Sequence, residues 1–314
     1  MSSLALACRV ATTFTKSGEI DEEAQRRYLQ RFIDTNIEVY VASGGSGEGH
    51  ALKWEEVRQL YRICVEHCKG KIPVHSNQPE HYTARVTIDH ARLAIECGVG
   101  IVNIYGPAGW HGYRPTDEEY VGYHDCVLSA IRHPVAVAPN PTQGYRPNPA
   151  LVAAICNKYP QVVAVNLVNL DENYFIDLKN ALKRDVALYV PLRGSMNTFT
   201  LGAAGLVGGQ LNLTPKTYRR YVDLYASRNL DEMGKVFSDL LRTNQYCNPW
   251  DKISGRMVKM FMYVLKLPGY EGGLREPCRM PCDADMKNFA DGLLRLRVPE
   301  IDEMGRAAGL KIPE

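Results

Sequence analysis

The sequence predicts an α/β protein, a (β/α)8 barrel followed by a C-terminal three-helix extension. Two observations carry this expectation. Up to about Tyr218, short β-branched runs alternate with amphipathic helical patterns eight times, each unit about the length of a βα repeat. Beyond Tyr218 the strand patterns stop and only helical ones remain. Eight parallel strands covered by helices favour a closed barrel over an open doubly wound sheet. The domain boundaries read as 1–228 for the barrel and 229–314 for the helical extension.

The elements follow in order. Leu4 to Ala11 is a short apolar strand, and Lys16-Ser17-Gly18 a turn. Asp21 caps a helix whose apolar positions Tyr28, Leu29, Phe32 and Ile33 recur at helical spacing. Val39 to Ala42 is the second strand, Trp54 to Cys68 the second helix and Lys71 to His75 the third strand. A helix from about His81 to Cys97 ends at Gly98, a C-cap. Gly100 to Tyr105 is the fourth strand. Thr116 to Arg132 is the fourth helix, with Asp117, Glu118 and Glu119 in the first turn, where the helix dipole favours them. Val135 to Ala138 is the fifth strand, and Asn148-Pro149 reads as N-cap and first residue of the helix to Tyr159. Val162 to Val165 is the sixth strand, with Asp171 opening the next helix. Ala187 to Val190 is the seventh, and Leu206 to Leu211 the glycine-broken eighth. The extension reads as Leu230–Tyr246, Lys252–Leu265 and Asp283–Arg297.

Composition excludes several classes. Apolar content is 45%, and a net charge of +2 without a basic run points to neither nucleic acid nor an anionic membrane. No apolar segment approaches membrane-spanning length, and the N-terminus lacks the pattern of a signal peptide. The nine cysteines form no pair of linked CxxC halves, so reduced thiols and a cytoplasmic protein are expected.

One stretch stands out chemically. Val39 to Ala42 runs into Ser43-Gly44-Gly45-Ser46-Gly47, then Glu48 and His50. Glycine-dense turns let the backbone approach a ligand and present bare N–H groups, which suits a small carboxylate or phosphate. The lysine and Ser/Thr of a Walker loop are missing.

At this point a family resemblance emerges. Phe14 to Ala24 looks like the opening signature of the dihydrodipicolinate synthase / N-acetylneuraminate lyase family. Gly44-Gly45-Ser46-Gly47-Glu48 sits where that family carries a Gly-Thr-Thr-Gly-Glu carboxylate loop. Gly205 to Asn212, followed by Pro215, is similar to its eighth-strand segment. The resemblance implies a TIM barrel with a helical C-terminal domain, a homotetramer (or homodimer), no cofactor, and a 2-oxo acid held as a Schiff base on a sixth-strand lysine. The position matching that lysine is Asn166, whose amide cannot form an imine. The family's fifth-strand tyrosine aligns with Ala138. Its substrate-binding arginine aligns with Gln143, though Arg146 is near.

The catalytic candidates are therefore Asn166, His50, His75 and Tyr145. The substrate-binding candidates are Gly45, Ser46, Glu48, Asn140, Arg146, Arg193, Gly194 and Val207, all at or after strand ends where barrel sites lie. Asn77, Trp110 and His111 share those loops. His50, His75 and His111 with Glu48 form a conceivable donor set, but no HxH or HExxH spacing supports a metal, and none is expected. Three readings follow. The first is an enzyme acting on a small oxo or hydroxy acid without a covalent intermediate. The second is a catalytically inactive relative that binds such an acid. The third, ranked last, is an aldolase using a lysine elsewhere.

Overall fold

The computed structural model describes residues 4–168, 171–250 and 255–313. Eight parallel strands close into a barrel in sequential order, the first pairing with the eighth. They are β1 (Ala5–Arg9), β2 (Glu38–Val41), β3 (Val74–Ser76), β4 (Val102–Tyr105), β5 (Val135–Ala138), β6 (Val162–Asn166), β7 (Ala187–Val190) and β8 (Gly205–Gly208). The covering helices are α1 (Glu22–Ile33), α2 (Trp54–Cys68), α3 (Ala84–Glu96), α4 (Asp117–Ala130), α5 (Pro149–Lys158), α6 (Glu172–Ala181), α7 (Ser195–Thr200) and α8 (Pro215–Ala226). Caps fix the helix starts. The Asp21 side chain accepts from Ala24 N at 2.9 Å, and Asn148 from Ala150 N at 2.9 Å. Thr116 and Glu119 bond reciprocally at 3.2 and 2.7 Å in a capping box.

Differences from the sequence expectation have local causes. β8 stops at Gly208, and Gly209–Asn212 turns as a 3-10 segment. Asn212 holds that turn, donating to the carbonyls of Arg9 and Gly209 and accepting from Ala11 N and Tyr28 Oη. The seventh helix has six residues, too short to show a periodicity. The extension comprises α9 (Leu230–Cys247), α10 (Arg256–Val264), α11 (Asp283–Arg295) and a fourth helix, α12 (Pro299–Ala307). Pro299 stands at its first position, where proline's missing N–H would have no partner in any case. The expected start of α10 at Lys252 lies outside the described residues. One hydrophobic core runs from the barrel helices into the extension, joining Phe32, Tyr218 and Phe261 to Phe289 and Ile301.

The inside of the barrel is polar. The Asn166 amide donates to Asn103 Oδ1 at 2.8 Å. β4 and β6 are separated by β5, so this bond runs through the lumen; β5 leaves room for it with Ala136 and Ala138. Asn77 donates to Tyr105 Oη at 3.0 Å, and His75 Nε2 lies 3.0 Å from Glu38. Barrel interiors are ordinarily filled by branched apolar side chains; here part of that space is taken by polar groups that pair with one another.

Candidate active site at the barrel mouth

A cavity of about 1670 Å³ opens at the C-terminal ends of the strands. Arg9, Tyr105, Asn140 and Val207 line it from the strand ends. Ser43 to Ser46 and His50 line it from the β2 loop, Glu80 from the β3 loop, Gln143 from the β5 loop, and Arg193 and Gly194 from the β7 loop. Gln210 completes the rim on the β8 side, and the cavity extends to Tyr218, Phe237 and Asn244 of α8 and α9.

The β2 loop is held in a tense shape. Ala42 and Glu48 take left-handed backbone angles, φ 63° and 51°. A Cβ on Gly49 would collide with the Ala42 carbonyl, so only glycine fits there. Gly47 N donates to Ser43 Oγ at 2.9 Å, and Gly49 N to the Ser43 carbonyl at 2.8 Å. Among the described residues, the N–H groups of Gly45 and Ser46 have no hydrogen-bond acceptor within the chain. The loop therefore presents two free donors at the cavity wall.

His50, at the rim, has Nδ1 2.7 Å from the Gly44 carbonyl. A carbonyl only accepts, so Nδ1 carries the proton and the neutral ring keeps its lone pair on Nε2. Glu80 accepts from Asn140 Nδ2 at 3.4 Å. Gly45, Ser46, His50, Asn140, Arg193, Gly194 and Val207 thus line one cavity, with Arg193 exposed at its edge.

Other sequence candidates are placed elsewhere. Asn166 is fully buried and does not line the cavity. Beyond its bond to Asn103, Asn166 Oδ1 and Asn103 Nδ2 are buried without partners. The Tyr40 hydroxyl, whose pKa burial drives up, is drawn part of the way back by Asn166. His75 is also buried away from the cavity, because the β2–β3 register sets it beside Tyr40 and turns its Nε2 to Glu38. Tyr145 donates its hydroxyl to the Pro107 carbonyl at 2.7 Å and braces the β4 loop. Glu48 is buried at 2% exposure, with its carboxylate 3.1 Å from Lys259 Nζ of α10 and accepting from Arg275 N at 3.1 Å. Arg146 lies 3.4 Å from Asp171 and 4.0 Å over the Tyr174 ring. These placements share a cause: each polar group has a partner within the chain that sequence position does not show. The Trp110 side chain lies outside what the structure describes, and His111 is exposed at φ 52°. Among the described residues, no three His, Cys, Asp or Glu side chains gather as a metal-ligand set.

Sequence reasoning missed Arg9, Glu80 and Gln210. Arg9 carried a signal, a lone charge inside the otherwise apolar run Leu4 to Ala11. Glu80 and Gln210 carried none.

A parallel eight-stranded barrel with a polar mouth and loop amides that have no partner within the chain is an architecture used by many small-molecule enzymes. The chain belongs to the dihydrodipicolinate synthetase family, whose model matches residues 3–288. It is 28% identical over 298 residues to 4-hydroxy-tetrahydrodipicolinate synthase of Xanthomonas campestris pv. campestris, covering 93% of this chain and 94% of that one. Over 214 residues it is 28% identical to the enzyme of the same name from Nitratidesulfovibrio vulgaris, covering 66% and 70%. Among solved structures, dihydrodipicolinate synthase DapA-2 of Bacillus anthracis superposes with a TM-score of 0.84 at 18% identity, covering 95% of this chain and 99% of that one. YagE, a prophage protein of E. coli K12 solved in complex with pyruvate, gives 0.83 at 17%, with 95% and 99% covered.

Proposed function

We propose that the chain binds a small 2-oxo or 2-hydroxy acid in the barrel mouth and acts on it as a carbon–carbon or carbon–oxygen lyase, without a covalent imine. The reading is carried by the end of β6, where the sequence resemblance puts Asn166 at the position of the family's lysine and where this side chain is buried and bonded through its amide to Asn103. Among the described residues the cavity lining contains no lysine. An amide nitrogen is not a nucleophile toward a carbonyl, so activation must come from acid–base and hydrogen-bonding groups.

The mouth supplies such groups. His50 Nε2 is free to take a proton from a substrate carbon or hydroxyl, and Glu80 stands on a neighbouring loop. Charge developing on a carbonyl oxygen would be met by neutral donors on the cavity wall, the amides of Gly45 and Ser46. The pyruvate complex of YagE supports a 2-oxo acid as the class to try first. The reading includes a homotetrameric or homodimeric cytoplasmic protein with no cofactor.

Borohydride reduction in the presence of pyruvate, read by intact mass, tests it. We expect no mass increase, and a pyruvyl adduct would overturn the non-covalent mechanism. Turnover assays over a panel of 2-oxo and 2-hydroxy acids then separate an enzyme from a binding protein. Tight binding without turnover of any acid would favour a catalytically inactive relative.

A further inference from the structure

Arginine side chains inside this protein normally spend their N–H groups on backbone carbonyls. Arg31 donates to the carbonyls of Asn212 and Leu213 at 2.8 and 3.1 Å. Arg184 reaches the carbonyls of Cys156 and Tyr159 at 2.8 and 3.0 Å, and Arg275 those of Gly18 and Ala51 at 2.8 and 2.9 Å. Arg9 differs. It is the last residue of β1, paired in register with Tyr40 of β2, and it lines the cavity. Its Nε and Nη2 are buried without a hydrogen-bond partner, and it forms no ion pair among the described residues.

A guanidinium stays charged at any pH the protein meets, and taking it out of water without a counter-charge is costly. Such a group persists where a ligand supplies the missing anion. Its surroundings fit that role. Arg9 partly offsets the rise that burial imposes on the hydroxyls of both Tyr40 and Tyr105, so its charge is felt across the lumen from β2 to β4. The inward-facing cluster of Ala7 on β1, Tyr40 on β2 and Val207 on β8 supplies no carboxylate to pair with it. Among the described residues the cavity lining holds one carboxylate, Glu80, and no ion pair joins it to Arg9.

We propose that Arg9 is the seat of the ligand's carboxylate in the barrel mouth. The geometry of a guanidinium favours a planar, two-oxygen anion held through paired N–H groups. This deepens, and rests on, the small-acid reading above. It puts the acid's charged end at the strand ends, on the β1 side of the cavity.

The test compares wild type with Arg9→Met and Arg9→Lys by thermal unfolding and calorimetric titration with pyruvate, L-lactate and malonate. Ligand that binds only the folded state raises the unfolding midpoint. For wild type we expect a raised midpoint with at least one acid. Arg9→Met should bind that acid roughly 10- to 100-fold more weakly, the worth of a charge-assisted pair, and Arg9→Lys should fall between. Without ligand, Arg9→Met should unfold at the same temperature as wild type or higher, because two buried N–H-bearing nitrogens without partners have been removed. Equal affinity in wild type and Arg9→Met would overturn the Arg9 assignment and leave the small-acid reading standing. A ligand-free Arg9→Met that unfolds several degrees earlier, with Arg9→Lys restoring the midpoint but not the affinity trend, would make Arg9 a structural group and overturn it as well. No midpoint shift with any acid in wild type would remove both readings together.

Discussion

His50 has its tautomer set by the Gly44 carbonyl 2.7 Å from Nδ1, which leaves Nε2 as the ring's acceptor at the cavity rim. If it moves the proton in a non-covalent reaction, His50→Gln should keep ligand affinity within a few-fold while lowering kcat by roughly 10²- to 10⁴-fold. Steady-state kinetics beside equilibrium binding would check this. A loss shared equally by binding and kcat would make His50 a ligand-holding group instead. Residues at this scale were unevenly legible. The loop Ser43 to His50 announced itself through glycine density, and Gly45, Ser46 and His50 do line the cavity. Glu48, in the same string, points the other way because its partner, Lys259, lies 211 positions along the chain. No local pattern encodes such a pairing. Arg9 was readable only as an anomaly, a charge in a barrel strand, and its unpartnered N–H groups needed the packed lumen to become visible.

The segment from α10 to Arg275 straps the helical extension to the loops after β1 and β2. Lys259 Nζ is buried at 1% exposure, donating to the carbonyls of Thr12 and Gly273 at 2.6 and 2.9 Å and pairing with Glu48 at 3.1 Å. Arg275 adds a two-pronged contact to Glu56 at 2.5 and 2.7 Å. Burial pulls the Lys259 pKa down, while Glu48 opposes that pull and favours the charged amine. Removing one partner of a buried pair strands the other, so Lys259→Met and Glu48→Leu alone should each destabilise by about 3–5 kcal/mol. The double substitution should recover much of that loss, because no buried charge is left alone. Urea unfolding of the four proteins checks this, and strict additivity would show that the two side chains are not coupled. Elements such as these were legible wherever hydrophobic period and caps agreed: α2 and β7 begin and end where their apolar patterns do. The strap was not, since its order comes from long-range polar bonds rather than from periodicity.

At the scale of the whole molecule, buried histidines set how the fold tolerates acid. His124 of α4 is fully buried, with Nδ1 2.8 Å from the Tyr120 carbonyl and Nε2 without a partner, and burial holds its pKa down to about 4. His81, stacked on His90 at 4.4 Å, is likewise held down to about 4, by burial first and by the neighbouring ring second. Both histidines are favoured neutral in the native state, whereas the unfolded chain takes up their protons near 6.5. The unfolded state therefore binds more protons between about pH 6.5 and 4, so stability is complete above that window and falls as the pH drops through it. Glu300 works against this trend: burial raises its pKa, so its neutral form is favoured in the fold as the solution becomes acidic. The histidine effect should win, because His124 alone contributes on the order of 3 kcal/mol by pH 4. The unfolding midpoint, followed from pH 7.5 to 4, is expected to stay level above about 6.5 and then decline. His124→Leu, which cannot take up the proton, should flatten part of that decline while changing the midpoint at pH 7.5 far less. If the substituted protein keeps the full acid slope, His124 is not the group that couples protons to folding, and the decline belongs to the stacked pair of His81 in the β3 loop and His90 of α3.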